Sequence, residues 1–400
     1  MDEELHVAVL FNRFGPYHRA RLDAAGQMMR VTGVEVVGKS STYAWEEVET
    51  APSFERVTLF PEADRSAVSN ATLKRVMDRE FGTIAPDAVA IPGWSYPRAL
   101  AALRWCGRNE VPAIVMSETT ESDFSRRWWA EQLKQRVVSH FGAGLVGGAP
   151  HREYLRTLGM PAETIFLGYD VVDNDYFRTG ARDARNHEAD KREKYELPGS
   201  YFLASCRFIP KKNLPRLIKA YGKYRRQASD DIWDLVLLGE GPERSTVERC
   251  IEDAGVEQSV HLPGFKQYDE LPTYYGLAGA FVHASTREQW GLVVNEAMAA
   301  GLPVLVSDRC GCAPDLVEDG RNGFTFDPHD PSALAGLMAR VAHGDVNRVD
   351  MGAASQDIIK EWGPERFATG LKKAAEAALQ AGPPSSSLLD RLLINALMYR

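Results

Sequence analysis

The 400-residue chain has no long apolar run. Its longest stretch free of charged side chains, Leu271 to Thr286, is 16 residues and contains Pro272, His283 and Ser285, short of the roughly 20 apolar residues of a spanning helix. Positive charge is not in excess: 47 Lys and Arg stand against 55 Asp and Glu, a net −8. No global field gathers nucleic acid or an anionic membrane, so such a partner needs a local patch. Cysteine is scarce and odd in number. Five residues (Cys106, Cys206, Cys250, Cys310, Cys312) do not make a disulfide framework, and Cys310-x-Cys312 lacks the further ligands of a zinc site. Repeats are absent, and low complexity is confined to residues 382–387. The N-terminal MDEELHVAVLF is acidic where a secretory signal starts positive, which gives a cytoplasmic expectation. What remains is a well-mixed composition, 44% apolar and 26% charged, long enough for two or three domains.

Short β-branched runs alternate with longer segments of helical spacing, the pattern of βα units around a parallel sheet. In the first half they are residues 6–11, 34–37, 88–91, 113–116, 145–146 and 164–167. In the second they are 201–204, 235–238, 260–262, 280–282, 303–306 and 324–326. Two doubly wound α/β domains fit. Residues 178–196 hold 11 charged side chains of 19 and read as a linker or surface helix. The expected division is 1–177, a charged linker 178–197, 198–350, a helical segment 351–381 packing back toward the first domain, and an amphipathic tail 382–400.

The densest chemistry lies in HASTREQWGLVVNEAMAAGLPVLVSDRC, residues 283–310. A strand ends, a loop carries Glu288, Gly291 allows close backbone approach, and a helix opens near Leu292. Such a helix start offers free N–H groups and a positive dipole end to a diphosphate. Carboxylates such as Glu288 and Glu296 suit sugar hydroxyls. After the first strand of the second half, Arg207 and Lys212 could stabilise a departing diphosphate, with Lys211 competing for the lysine role. Leu238-Gly-Glu-Gly-Pro242 and Leu262-Pro-Gly-Phe-Lys266 read as glycine turns ending strands, and His283 reads as a core histidine.

The E-x7-E spacing of Glu288 and Glu296 before A-x-A-A-G-x-P-V resembles the donor signature of the family 4 glycosyltransferases, retaining enzymes of the GT-B fold. The resemblance is strong in the second half and loose in the first. It implies two Rossmann-like domains facing a central cleft and a metal-independent transfer from a nucleoside-diphosphate sugar, a UDP-sugar by preference, to an acceptor hydroxyl, with no other cofactor. It implies Arg207, Lys212 and Glu288 as catalytic residues. Donor contacts implied are Gly15, Arg207, Lys212, Gly264, Phe265, Glu288, Gly291, Leu292, Val293 and Glu296. Acceptor candidates are His18, Trp94, Ser95 and Glu118, at strand ends of the first half. His18, Arg19 and Arg21 read equally as a polar helix face. Ser117-Glu118 stand where many family members have a histidine, so that histidine's role does not carry over, and Glu118 is open between ligand, base and exposed carboxylate. Asp173-Asn174-Asp175 reads as a turn rather than a metal site.

Two rivals keep their place: a nucleotide-sugar epimerase of the same architecture and a noncatalytic nucleotide-sugar-binding protein. Residues 125–141, with Trp129, Leu133, Val137 and Phe141 at i+4 intervals and basic residues mostly elsewhere, suit a lipid interface or a core-packed helix with a basic outer face. The tail 388–398 is the second candidate for peripheral membrane contact. The oligomeric state is not legible.

Overall fold

The structure, a computed structural model, describes residues 4–38, 53–62, 68–123, 127–227, 232–383 and 387–399. Ser125 and Arg126 of the expected basic helix, and Pro384 to Ser386 of the low-complexity segment, lie outside the described residues. The chain divides into two units, Met1–Val171 with Pro364–Arg400, and Val172–Gly363.

The first unit carries β1 (His6–Phe11), α1 (Pro16–Gly26), β2 (Arg30–Val37), β3 (Glu55–Phe60), α2 (Asn70–Ile84), β4 (Ala88–Pro92), α3 (Pro97–Asn109), β5 (Ala113–Ser117), α4 (Trp128–Val138), β6 (Ala143–Val146), α5 (Ala149–Thr157) and β7 (Ile165–Leu167). Its described strands pair in parallel in the order β3-β2-β1-β4-β5-β6-β7. The order reverses beside β1, the switch point where an open α/β sheet offers its crevice. Strands β1, β4 and β5 read as apolar runs because helices cover both of their faces. Strand β3 escaped the sequence reading: ERVTLF is an edge strand, mostly half-exposed, so it carries no apolar run.

The second unit begins with α6 (Asn174–Asn186) and α7 (Glu188–Tyr195). It continues through β8 (Tyr201–Ser205), α8 (Leu214–Gln227), β9 (Asp234–Leu238), α9 (Arg244–Ala254), β10 (Val260–Gly264), α10 (Leu271–Leu277) and β11 (Ala280–His283). It closes with α11 (Leu292–Ala299), β12 (Val304–Ser307), α12 (Ala313–Leu316), β13 (Gly323–Phe326), α13 (Pro331–Ala342) and α14 (Arg348–Ile359). The described strands run in parallel as β10-β9-β8-β11-β12-β13, with the reversal at β8 and β11, so the loops after these two strands share the switch point. All six coincide with the apolar runs of the second half.

The charged segment 178–197 is helical and belongs to the second unit rather than bridging two domains. Its α6 buries Phe177, Ala181 and Ala184 at i, i+4, i+7, and Ala181 lies against Gly276 of α10 so closely that a Cβ there would sit 2.8 Å from the Ala181 backbone. The expected segment 351–381 is split. Helix α14 stays in the second unit, with Ser355 Oγ donating to Leu302 O at 2.7 Å. Helix α15 (Pro364–Ala381) belongs to the first and packs on α1, β6 and β7. Helix α16 (Leu388–Leu397) packs on α3, burying Ile394 and Met398.

Candidate active site

In the second unit, β8 ends at Ser205 and the chain passes through Cys206 and Arg207 into a tight turn, Pro210–Lys212. Asn213 closes the turn in a left-handed conformation, φ 60°, and its buried Nδ2 donates to Ala284 O at 3.0 Å and Pro328 O at 2.8 Å. Thr286 N donates to Lys211 O at 2.9 Å. These bonds lace the lysine turn to the loop leaving β11. Beneath it, Gly239 and Gly241 let the chain after β9 run against the same segment: a Cβ would lie 1.9 Å from Cys206 O at the first and 2.5 Å from Phe208 O at the second. Phe208 N donates to Glu240 O at 2.8 Å across that contact. The glycine turn therefore has a backbone-approach function that its sequence alone signalled weakly.

Glu288 is held at both ends of its carboxylate. Lys211 Nζ lies 3.1 Å from Oε1, Lys212 Nζ pairs with Oε2, and Ser285 Oγ donates to Oε2 at 3.3 Å. His283 Nε2 stands 3.6 Å from the same oxygen and 3.2 Å from Ser285 Oγ. Burial alone would raise the Glu288 carboxyl, but the His283 imidazole and the Lys212 and Lys211 ammonium groups outweigh it and hold the carboxyl well below the usual carboxylate range. Burial likewise opposes the Lys212 charge, and Glu288 outweighs it, raising the ammonium. Burial and the Lys212 charge lower His283. Lys212 is the deeper lysine, 13% exposed against 34% for Lys211. His283, expected as a core residue, is buried but belongs to this cluster.

Gly291, at φ 108°, opens α11, and residues Leu292 and Val293 form its first turn, where N–H groups lack intrahelical partners. A side chain at Gly291 would be strained by that φ, although its Cβ would make only ordinary contact with Cys312, Glu288 and His283. Glu296 is 1% exposed, and its Oε2 accepts from Tyr275 Oη at 2.5 Å, so it is not a solvated helix residue. Arg207 is exposed, its carbonyl accepting from Ile209 N at 2.9 Å, and its guanidinium makes no hydrogen bond or ion pair among the described residues. Gly264 has φ 82° at the end of β10, and Phe265 beyond it is exposed. Cys310 and Cys312 are buried free thiols. Cys310 bridges by backbone to Glu288, so its segment runs beside the Glu288 loop.

In the first unit, the Gly15 N–H donates to His18 Nδ1 at 3.1 Å. Burial and Arg21 push the His18 imidazole down to about 3, so this ring caps the start of α1 as a neutral acceptor. Glu35 was missed by the sequence reading, and no local motif marks it. It is buried, takes Arg56 Nη2 at 2.7 Å and Thr58 Oγ1 at 2.7 Å, and accepts Phe14 N at 2.9 Å, fixing the Gly15 loop from beneath. Trp94 corrects an expectation: it is buried, its ring 6.3 Å from that of Tyr154, and it belongs to the hydrophobic core, so it is not available as an acceptor contact. Ser95 is exposed beside it. Glu118 is half-buried near Asp170. Burial and the Glu118 carboxyl raise Asp170 well above the usual range, against the pull of Arg21, whose Nη2 is 3.9 Å away. Arg21 is thus a buried scaffold residue, its Nε donating to Val171 O at 3.1 Å.

The helix read for lipid contact turns inward along its length. Val137 and Phe141 of its i+4 stripe are buried, whereas Trp128 is 80% exposed and Trp129 partly so. Among the described residues, no helix is long and apolar enough to cross a membrane.

Residues 187–357 match the family described as Glycosyl transferases group 1. The match covers the second unit's sheet and the site built on it. The chain is 32% identical over 201 residues to the GDP-mannose-dependent alpha-(1-6)-phosphatidylinositol monomannoside mannosyltransferase of Mycobacterium tuberculosis, covering 48% of this chain and 50% of that one. It is 30% identical over 265 residues to the D-inositol 3-phosphate glycosyltransferase of Paenarthrobacter aurescens, covering 65% and 62%. The chain thus spans about half to two thirds of the length of these relatives. Among solved structures, the sucrose-phosphate synthase of Thermosynechococcus elongatus superposes with a TM-score of 0.74 at 18% identity, covering 94% of this chain and all of that one. Anabaena HepE in complex with UDP and glucose gives 0.69 at 17% identity, covering 92% and 98%. These similarities establish the GT-B fold.

Proposed function

We propose that the chain is a retaining, metal-independent glycosyltransferase that moves a sugar from a nucleoside-diphosphate sugar to a hydroxyl of a saccharide, glycolipid or small-molecule acceptor. The observation that carries this reading is the cluster of Lys211, Lys212, Glu288 and His283 at the switch point, beside the start of α11. Arg207, Lys212 and the N–H groups of Leu292 and Val293 would take the diphosphate, supplying positive charge where it develops as the glycosidic bond breaks. A diphosphate competing for the two lysines would release Glu288 to accept hydrogen bonds from the transferred sugar. Glu296, once its Tyr275 bond is exchanged, would take the ribose, with Gly264 and Phe265 along the nucleobase and Gly15 near the phosphates.

In the transfer, the acceptor oxygen bonds to the anomeric carbon on the face the diphosphate leaves. The departing phosphate oxygen takes the acceptor proton, so no dedicated protein base is required. Ser95, His18 and Glu118 of the first unit remain the acceptor-side residues to test. His18 enters with its Nδ1 already engaged, and Glu118 enters through its Asp170 neighbour. Exposed Trp128, Trp129, Leu389 and Leu392 support peripheral contact with a membrane from the cytoplasmic side. Loss of liposome pelleting in Trp128→Ala/Trp129→Ala would support that contact, and no pelleting of the wild-type chain would overturn it.

The deciding experiment is a thermal-shift panel of GDP, UDP, ADP, CDP and TDP with and without EDTA, followed by turnover with the sugar of the nucleotide that binds. The relatives' names make GDP-mannose the first donor to try, against the UDP expectation. One nucleotide series should stabilise the protein equally in both conditions. Stabilisation that EDTA abolishes would overturn the metal-independent reading, and none from folded protein would overturn the donor site.

A further inference from the structure

A second cluster of positive charge lies in the first unit, where none of the donor-site residues of the second unit takes part. Helix α3, the turn after α4 and helix α16 enclose a cavity of about 260 Å³. This is far more than one water requires, at about 30 Å³, and just under the roughly 300 Å³ at which drug-sized pockets begin. Four of its lining residues are basic, Arg104, Arg108, His140 and Arg391, and none is acidic. Leu103 and Ile394 supply an apolar wall.

The charges are unequally engaged. Arg104 is held by Asp78, Nη1 to Oδ1 at 2.9 Å and Nη2 to Oδ2 at 3.2 Å. The Arg108 guanidinium, exposed on α3, has no ion-pair or hydrogen-bond partner among the described residues. His140 is 4% exposed, and its Nε2 is buried without a hydrogen bond; the nearest carboxylate oxygen, Asp390 Oδ1, is 3.7 Å away and is taken by Arg136 Nε at 2.7 Å. A buried ring nitrogen left without a partner has lost the hydrogen bond it would make in water, which is destabilising. A ligand that offers it an oxygen recovers that bond. Guanidinium groups on two different helices match an oxyanion with several acceptors.

We propose that this cavity binds a small molecule carrying a phosphomonoester, the anion held by Arg108, Arg391 and His140 Nε2 and the apolar part against Leu103 and Ile394. The ligand would bridge α3 and α16 and so hold the C-terminal helix onto the first unit. Burial lowers His140, the Asp390 charge opposes that, and Arg136 adds to it. An anion in the cavity favours the imidazolium, so affinity should rise as pH falls; the other charged groups around it are Arg104, Arg108, Arg136, Arg391 and Asp390.

The test is calorimetric titration of the full chain with phenyl phosphate, inorganic phosphate and sulfate. Phenyl phosphate should bind more tightly than inorganic phosphate. Arg108→Ala/Arg391→Ala should weaken it at least tenfold, whereas Arg207→Ala in the second unit should leave it unchanged. Sulfate stays dianionic, so its affinity between pH 7.5 and 5.5 isolates the protein. It should increase toward low pH in the wild type and lose that trend in His140→Gln, whose thermal stability confirms folding. Equal phenyl phosphate affinity in the double variant, loss on Arg207→Ala, or an unchanged pH trend in His140→Gln would each overturn the site. Arg108- and Arg391-dependent binding of phosphatidic acid vesicles with no binding of phenyl phosphate would overturn the small-molecule source in favour of a lipid headgroup.

Discussion

Asn213 Nδ2 donates to the Ala284 carbonyl oxygen at 3.0 Å, tying the turn that carries Lys211 and Lys212 to the loop that carries Glu288. The ion-pair cluster depends on this tie, because the two loops follow different strands and are 71 residues apart at these positions. Replacing Asn213 by Ala leaves the buried Ala284 and Pro328 carbonyls without their amide donor and keeps a β-carbon in the left-handed region. The expected loss is about 2 kcal/mol or more, about 4–8 °C in melting temperature for a unit of this size. Thermal denaturation of Asn213→Ala against wild type checks it, and an unchanged midpoint would show that the loops are held by other contacts.

Glu288→Gln removes the charge that both lysines face while keeping much of the shape. Turnover should fall by about 10²-fold, the scale of losing one electrostatic contact to the transition state. Affinity for the nucleoside diphosphate should stay the same or tighten, because the lysines no longer have a carboxylate to leave. Calorimetry with the nucleotide beside steady-state kinetics separates the two quantities. Parallel loss of both would mean that Glu288 only holds the loop.

Lys212→Ala should lower kcat by roughly 10²-fold or more, and Lys211→Ala, at the more exposed position, should cost less. A change confined to KM in Lys212→Ala would point to binding that is equal in ground and transition states. The same variants also report on folding. Removing Lys212 leaves Glu288 with Lys211, Ser285 and His283, enough partners for the loop to persist.

Stability should fall in mild acid. The folded-state value of His18 lies at about 3, below the roughly 6.5 of a free histidine, so between those limits the unfolded chain binds more protons. Its contribution is fully present above about pH 6.5 and is lost as pH falls. His283 and His140, also lowered, act in the same direction. The melting temperature should therefore decline from pH 6.5 to 4.5. His18→Asn, whose side-chain oxygen can replace Nδ1 as the acceptor for Gly15, should show a shallower decline, and equal slopes would remove His18 from the account.

Much of the second unit was legible because its strands are buried on both faces. Residues such as Tyr201 to Ala204 and Val304 to Val306 have no solvent side and so read as unbroken apolar runs. The E-x7-E spacing was legible for a local reason: one loop and the helix after it carry both glutamates. Strand β3 was not, since an edge strand need not be apolar. Nor was the burial of Trp94 and Glu296, because an aromatic or a carboxylate at a strand end or helix start has the same local pattern whether it faces solvent or core.

Periodicity and glycine placement are properties of neighbours in sequence, and they carried the two parallel sheets, the switch-point loops and the family of the second half. Which charges meet is a property of residues far apart in the chain. Lys211 and Glu288 are separated by 77 positions and Arg136 and Asp390 by 254. Such pairs form only when the sheet has brought strand ends together, and burial then sets how strongly each charge acts on the other. The Glu288 cluster, the acceptor role of His18 and the basic cavity beneath α16 were therefore decided by packing, not by any motif along the chain.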